Sequence, residues 1–154
     1  MKRLLLESQG QVTPVCSRSH ITYKFHVPES GGMLWFSFAY GPKNLENLER
    51  SRDLIHESID KYTEPDQRGR LQAKWESFIP LKNLITVSLD DPERHRGAGH
   101  RHDPEQLLFL SEDNASPGFV SGSIPSGMWE ATLSLHAIVT DTCQYILQIW
   151  REEE

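Results

Sequence analysis

Residues 90–103 hold the densest set of side chains that could do chemistry in this sequence, with three histidines and several carboxylates in one short stretch. Zinc and similar borderline metals accept imidazole nitrogen and carboxylate oxygen together. His100 and His102 would point to the same side of the chain if the backbone were extended. The segment therefore predicts, as one alternative, a small metal-dependent hydrolase with the ligands His95, His100, His102 and Asp103.

The same segment also has the composition of an anion-binding loop. Its arginines offer guanidinium groups that match phosphate and carboxylate oxygens. Gly97 and Gly99 indicate a turning backbone, and the flanks lack the apolar strand that would hold metal ligands rigidly. We favour a solvated loop in which arginine and histidine pair with neighbouring acids. If the loop binds a ligand, a small anion suits it better than a metal, held by Arg94, His95, Arg96, His100, Arg101 and His102.

Four tryptophans suggest a second kind of chemistry, because aromatic rings stack against the apolar faces of sugars in β-sandwich binding modules. A carbohydrate-binding module is therefore another alternative. Most of these tryptophans lie in or beside alternating strand patterns, where an aromatic residue is more often part of the core. We favour core positions for Trp35, Trp75, Trp129 and Trp150.

Other catalytic signatures are missing from the sequence. It contains neither a Gly-x-Ser-x-Gly elbow nor a glycine-rich loop of the phosphate-binding or dinucleotide-binding kind. His136 lies inside an alternating stretch, which indicates a structural histidine. Cys16 and Cys143 lie near opposite ends of the chain, where the first and last strands of a sandwich could be neighbours. We expect both to be free thiols, as is usual in a reducing compartment.

Length and charge limit the classes of protein further. The chain has 154 residues, with 16 basic and 22 acidic side chains and a net charge of −6, and we expect one domain over residues 1–154. The acidic balance argues against a nucleic-acid binder. A mean hydropathy of −0.53 leaves no room for a bilayer span. The first residues lack the apolar region of a signal peptide, so we expect a cytoplasmic protein without a membrane partner.

Hydrophobic periodicity predicts mainly strands. The one confident helical pattern covers residues 44–62, with Asn44 as its N-cap, and residues 64–80 are interpreted as a long connection with a short helical stretch near 70–78. This combination favours an antiparallel β-sandwich or jelly roll with one helix on its side. The predicted strands cover residues 21–27, 33–40, 84–89, 107–110, 118–123, 129–139 and 143–150.

Turn residues between strands predict two hairpins. The first would pair residues 21–27 with 33–40 across the turn at 30–32, and the second would pair 129–139 with 143–150 across the turn at 140–142. Within these strands the alternation predicts which side chains are buried. Leu34, Phe36, Phe38 and Tyr40 would share one face, as would Trp129, Ala131, Leu133, Leu135 and Ala137.

Several turn motifs recur in a characteristic order along the chain: F-x-V-P-E at 25–29, L-D-D-P at 89–92, R-G-A-G at 96–99, A-S-P-G-F at 115–119 and I-P-S-G-M-W at 124–129. In this order the chain resembles the N-terminal β-rich domain of the CehA/McbA branch of the polymerase and histidinol phosphatase (PHP) superfamily. The resemblance covers residues 20–150. The shared residues look mainly architectural, and Arg96 is expected to lock its loop onto a carboxylate.

The resemblance implies a non-catalytic accessory or binding module. PHP-type phosphoesterases carry their metal ligands in a catalytic barrel that follows this domain, and no segment of this sequence corresponds to that barrel. His100-Arg101-His102 has the letters of the barrel's metal-binding pair but lies within the β-rich part. The expected partner is therefore a PHP-type catalytic domain, in cis or in trans, or a second copy of the chain. No cofactor is expected, and a divalent metal belongs only to the hydrolase alternative.

Overall fold

Alternating apolar residues build two antiparallel sheets that face each other. The computed structural model describes residues 1–100 and 102–153, and within them each of the two main sheets has four strands. The first sheet has the order β1-β10-β3-β8 and the second β2-β9-β6-β7, while β4 and β5 pair separately. The strands are β1 Lys2–Val12, β2 Ser19–Val27, β3 Met33–Gly41, β4 Asn44–Leu45, β5 Leu81–Lys82, β6 Leu84–Asp90, β7 His95–Ala98, β8 Glu105–Leu110, β9 Gly127–Ala137 and β10 Cys143–Glu152.

The core lies between the two sheets, as the sequence pattern predicts. Every second residue of the central strands points inward, because side chains alternate between the faces of a strand. Burying each of these large side chains stabilises the fold by about 1.5–3 kcal/mol before entropy costs are counted. The predicted inward set on β3 is confirmed, and the set on β9 is confirmed except for Ala137, which is only partly buried. The buried core includes Leu34, Phe36, Phe38, Tyr40, Trp129, Ala131, Leu133 and Leu135.

Both predicted hairpins are wrong. Strand β2 pairs with β9, and β3 pairs with β10 and β8, so β2 and β3 lie in different sheets. Strands β9 and β10 are likewise in opposite sheets. The connections at 28–32 and 138–142 cross from one sheet to the other, a distance of about 10 Å. Alternation identifies a strand and its buried face, but it carries no information about which strand lies beside it.

The helical region confirms one prediction and extends it. Helix α1 covers Leu48–Tyr62 rather than 44–62, because Asn47 is its N-cap: the Asn47 side chain accepts a hydrogen bond from the N–H of Arg50 at 2.9 Å. Asn44 instead belongs to β4. A second helix, α2, covers Pro65–Ala73 within the predicted connection, and a 3₁₀ turn follows at Trp75–Phe78. The structure is thus a β-sandwich with α1, and also α2, on its side.

The sequence pattern does not predict the first strand, β1. Strand β1 pairs with β10 along the edge of the first sheet, with a bulge between Leu4 and Leu6. The first predicted strand, 21–27, corresponds to β2 and lies in the sheet opposite β10, so the N-terminal strand beside the last one is β1, which the sequence pattern does not predict. Cys16 and Cys143 are both free, and burial raises the pKa of the Cys143 thiol. Neither helix in the described part of the chain is long and apolar enough to cross a membrane.

Candidate functional site

The Arg/His-rich segment begins with the tight connection between β6 and β7. Asp91 Oδ1 accepts hydrogen bonds from the backbone N–H groups of Glu93 and Arg94, each at 2.7 Å. The N–H of Asp91 donates to the carbonyl oxygen of Arg94 at 2.8 Å. Aspartate commonly stabilises turns in this way. One carboxylate of the candidate site is therefore part of the turn itself.

Arg96 and Asp91 form a buried ion pair. Arg96 Nη1 donates to Asp91 Oδ2 at 2.9 Å, and the two side chains are 0% and 3% exposed. Burial by itself raises the pKa of Asp91, but the two backbone hydrogen bonds and the guanidinium outweigh burial, so the pKa lies below its usual value. The expected lock between Arg96 and a carboxylate is confirmed. The prediction that Arg96 binds an anionic ligand is wrong, because its guanidinium faces the interior.

The remaining donors of Arg96 hold the segment that leads into β9. They donate to the carbonyl oxygens of Val120 at 3.1 Å, Gly122 at 3.0 Å and Ser123 at 2.8 Å. The guanidinium also lies 5.6 Å from the ring centre of Trp129. We call this set the arginine clasp, and it consists of Asp91, Arg96, Trp129 and the carbonyl groups of Val120, Gly122 and Ser123.

Two glycines allow the backbone to close around the arginine clasp. Gly97 has φ +130°, and a Cβ there would lie 2.1 Å from the carbonyl oxygen of Gly118. Gly118 has φ +92°, and a Cβ there would lie 2.3 Å from the carbonyl oxygen of Ala98. Only glycine meets both the conformation and the close approach. The motifs at 89–92, 96–99, 115–119 and 124–129 therefore meet at one structural junction.

The predicted metal ligands do not assemble into a site. His95 Nδ1 lies 2.8 Å from Asp90 Oδ1, and the rings of His100 and His102 are 6.3 Å apart. Asp103 Oδ1 instead accepts a hydrogen bond from the N–H of Glu105 at 3.1 Å. Within residues 1–100 and 102–153, no group of three or more histidine, cysteine, aspartate and glutamate side chains could hold a metal ion.

The other residues predicted to bind an anion lie on the surface. Arg94 is about half exposed, with Nε 4.0 Å from Asp91 Oδ2, and His95, His100 and His102 are exposed. The main-chain groups of His100 are used by Gln106, whose side chain bonds both the N–H and the carbonyl oxygen of His100 at 2.9 Å. Arg101 lies outside the described residues. In the described part of the segment, Arg94 and the three histidines are therefore separate surface side chains that do not enclose an anion site.

The four tryptophans separate into three environments. Trp129 is fully buried in the core, as predicted, and its indole N–H donates to the carbonyl oxygen of Pro125 at 2.9 Å. Trp75 is half-buried beside α1, with its ring 6.3 Å from that of His56. Trp35 and Trp150 are directly opposite each other on neighbouring strands, and neither is in the core. A sugar platform of all four rings is therefore excluded.

Trp35 and Trp150 belong to an apolar row that crosses the outer face of the first sheet. Leu4 pairs with Trp150, Trp150 with Trp35, and Trp35 with Phe109, so the row includes one residue from each strand. The rings of Trp35 and Phe109 are 5.5 Å apart. All four side chains are partly exposed, and the neighbouring Leu107 is 65% exposed. We call Leu4, Trp150, Trp35 and Phe109 the aromatic row.

The outer face of the second sheet has the opposite character. Its side chains are mostly polar and pair with one another across the strands: Thr22 with Thr132 at 3.2 Å, and His20 with Ser134 at 3.0 Å. His136 Nε2 lies 2.9 Å from the hydroxyl of Thr86, which confirms its structural role. Several side chains of this face therefore hydrogen-bond to one another, whereas the aromatic row places large, partly exposed apolar side chains on the first sheet.

A solved structure shows a distant likeness to this chain. No family model and no curated protein matches it. A crystal structure of GEBA250068378 from Sulfurospirillum deleyianum aligns with 97% of this chain and 99% of its own, at 7% sequence identity and a TM-score of 0.33. A similarity of this size carries no argument about fold or function.

Sequence reasoning misses the aromatic row for a definable reason. Trp35 and Trp150 each stand out in the sequence, and alternation places Trp35 on the face opposite Leu34 and Phe36. The row exists only once the register of four strands is known, and two of its partners come from strands that are far apart in sequence. The sequence feature that could identify such a surface is a large aromatic residue at the strand positions that alternate with the buried ones, where polar residues are usual.

Proposed function

We propose that this chain is a non-catalytic binding module that docks a protein partner through the aromatic row. The observation that carries the proposal is the contrast between the two outer faces, one self-paired and polar and the other apolar across all four strands. Tryptophan, phenylalanine and leucine on one exposed face are typical of protein interfaces. The partner that the resemblance implies is a PHP-type catalytic domain, in cis or in trans.

The polar groups around the aromatic row favour a protein partner over a sugar. The indole N–H of Trp35 already donates to Glu152 Oε2 at 2.7 Å, and Lys2 Nζ lies 5.1 Å from the centre of the Trp35 ring. Sugar sites need free hydrogen-bonding groups beside the stacking ring, whereas these groups are engaged. The exposed Leu107 extends the surface with an aliphatic side chain, which suits the apolar centre of a protein interface.

The arginine clasp supports the non-catalytic part of the proposal. Arg96, one of the cationic side chains predicted to bind an anion, is buried and uses its donors on Asp91 and on carbonyl oxygens. We also propose a cytoplasmic location, which fits two free thiols. The identity of the partner rests on the resemblance to PHP accessory domains alone, and we propose it on that basis.

The docking proposal is tested by measuring affinity for a catalytic domain of the CehA/McbA branch that lacks its own β-rich domain. We expect binding to the wild-type chain and a loss of at least about tenfold in the double variant Trp35→Ser with Trp150→Ser, because the central aromatic anchors dominate interface energies. The matched control is Thr22→Ala with Thr132→Ala on the second sheet, which should bind like the wild type.

The outcomes separate the parts of the proposal. Equal binding by the tryptophan variant and the threonine variant would exclude the aromatic row. Self-association of the wild type, abolished in the tryptophan variant and without affinity for the catalytic domain, would retain the docking face and exclude the PHP partner. Phosphoesterase turnover with added manganese, zinc or iron that disappears in His100→Ala would overturn the non-catalytic assignment.

A further inference from the structure

An apolar groove lies on the helical side of the molecule, away from the aromatic row and the arginine clasp. It is an open groove lined by α1, α2, the 3₁₀ turn, the start of β5 and Val139, and its volume is about 520 Å³. Small-molecule sites in proteins have volumes of about 300–1,000 Å³ and mainly apolar linings. The principal apolar lining residues are Leu54, Ile55, Ile59, Leu71, Phe78 and Leu81.

One end of the groove carries positive charge. Tyr62 lines the groove at the last residue of α1 and is 61% exposed. Its hydroxyl oxygen accepts a hydrogen bond from Arg18 Nη2 at 3.2 Å, and Lys61 Nζ lies 5.4 Å from its ring centre. The hydrogen bond and the charge of Arg18, followed by the charge of Lys61, lower the pKa of Tyr62. An anion is therefore attracted to this end.

The backbone at Arg18 provides an independent reason to assign its side chain a role. Arg18 has φ 65°, the left-handed conformation in which glycine is the usual residue, and its N–H donates to the carbonyl oxygen of Leu135 at 2.7 Å. A glycine would satisfy the turn with less strain. The chain instead has a long cation here, whose guanidinium reaches the tyrosine of the groove.

The acidic side chain of α1 that is closest in sequence to Tyr62 does not cancel this charge. Asp60 Oδ1 accepts a hydrogen bond from Gln72 Nε2 at 2.6 Å and lies 3.8 Å from Arg68 Nε. Its charge is therefore balanced on the α2 side. Arg18, by contrast, donates to the neutral hydroxyl of Tyr62. An incoming carboxylate can therefore pair with the guanidinium without displacing another carboxylate.

We propose that the groove binds an anionic amphiphile, a long-chain carboxylate whose hydrocarbon tail lies between α1 and α2 and whose carboxylate pairs with Arg18. The apolar lining accounts for the tail, and the cation at the tyrosine end accounts for the head group. Tail burial contributes affinity in proportion to the apolar area removed from water, while the charge-assisted bond to Arg18 fixes the direction in which the ligand lies.

Calorimetric titration of the full chain with dodecanoate tests this, with dodecanol as the uncharged probe of equal length. We expect dodecanoate to bind about tenfold more tightly than dodecanol, because one charge-assisted hydrogen bond is worth roughly that factor. Arg18→Gly should remove this preference and leave dodecanol binding unchanged. The thermal midpoint of Arg18→Gly should equal or exceed that of the wild type, since glycine relieves the backbone strain.

Two further variants locate the site. Phe78→Ser shortens the apolar wall of the groove and should weaken both probes, whereas Leu107→Ser on the first sheet should weaken neither. The proposal is overturned if the wild type binds neither probe, if Arg18→Gly retains the preference for the carboxylate, or if Leu107→Ser has the same effect as Phe78→Ser. The readouts are independent of the catalytic-domain partner proposed above.

Discussion

The composition of the Arg/His-rich segment suggests a binding surface and that of the aromatic row suggests a core, but the structure shows the opposite arrangement. The segment holds the charged and titratable side chains, yet its central arginine points inward and serves the fold. The row consists of residues that normally build a core, yet it faces solvent on the first sheet. Residue type determines which interactions a side chain can make, whereas the fold determines whether that side chain faces the interior or the solvent.

The difference follows from how each region is built. The irregular segment 120–123 lacks strand pairing, and the guanidinium of Arg96 donates to three of its carbonyl groups from one side chain. The strands of the first sheet satisfy their own backbone groups through pairing. Their outward side chains are therefore not required for hydrogen bonding, and large apolar residues there are available for a partner.

Removing the arginine of the clasp should have the largest effect. Arg96→Met leaves Asp91 as a buried carboxylate without its buried cation and removes the donors to the carbonyl groups of Val120, Gly122 and Ser123. We expect the free energy of unfolding to fall by about 3–5 kcal/mol. Denaturant unfolding measures this change.

The matched control for that variant is Arg94→Met. Arg94 is half exposed and reaches the same carboxylate from 4.0 Å, so its loss should cost about 0–1 kcal/mol. Equal losses in the two variants would mean that the segment is a solvated loop and that the clasp contributes little.

The free energy of unfolding at acidic pH should depend on the ionisation of Asp91. Because its pKa is lowered in the folded protein, the ionised carboxylate stabilises the fold fully above its ordinary pKa of 3.8, and this contribution is lost as the pH falls from there through the lowered folded value. Asp91→Asn keeps an acceptor for the turn but loses the charge. We expect a loss of about 1–3 kcal/mol at pH 7 that shrinks below about pH 4.

Denaturant midpoints of the wild type and Asp91→Asn between neutral pH and strongly acidic pH measure this effect. An Asp90→Asn variant provides the control, because Asp90 is more exposed and pairs with His95 outside the clasp. A difference between the wild type and Asp91→Asn that stays constant with pH would show that the charge of Asp91 is not coupled to folding.

Replacing the three surface histidines should have the smallest effect. His95, His100 and His102 are exposed, so the triple alanine variant should lose less than about 1 kcal/mol of stability. Metal analysis of the purified protein should give the same content before and after the substitution. If the wild type contained a stoichiometric metal and the triple variant did not, the segment would be a metal site.

The sequence predicts the buried faces of β3 and β9 well, because alternation directly reports burial. It cannot predict that β2 pairs with β9 rather than β3, since strand neighbours depend on how the chain crosses between the sheets. Asn44 has the right chemistry for an N-cap, but pairing of β4 with β5 uses that residue and leaves the role to Asn47. A carboxylate partner for Arg96 is expected from the sequence, whereas the identity of that carboxylate requires the fold.

The pairing of β1 with β10 also has a consequence for biosynthesis. Strand β1 precedes β10 along the chain and pairs with no other strand of its sheet, so β1 has no partner there until β10 has been synthesised. Contacts this distant in sequence slow folding. Lys2, Arg3 and the bulge between Leu4 and Leu6 make β1 a poor template for pairing with other chains during this interval. We therefore expect the irregular edge strand to disfavour aggregation while β10 is absent.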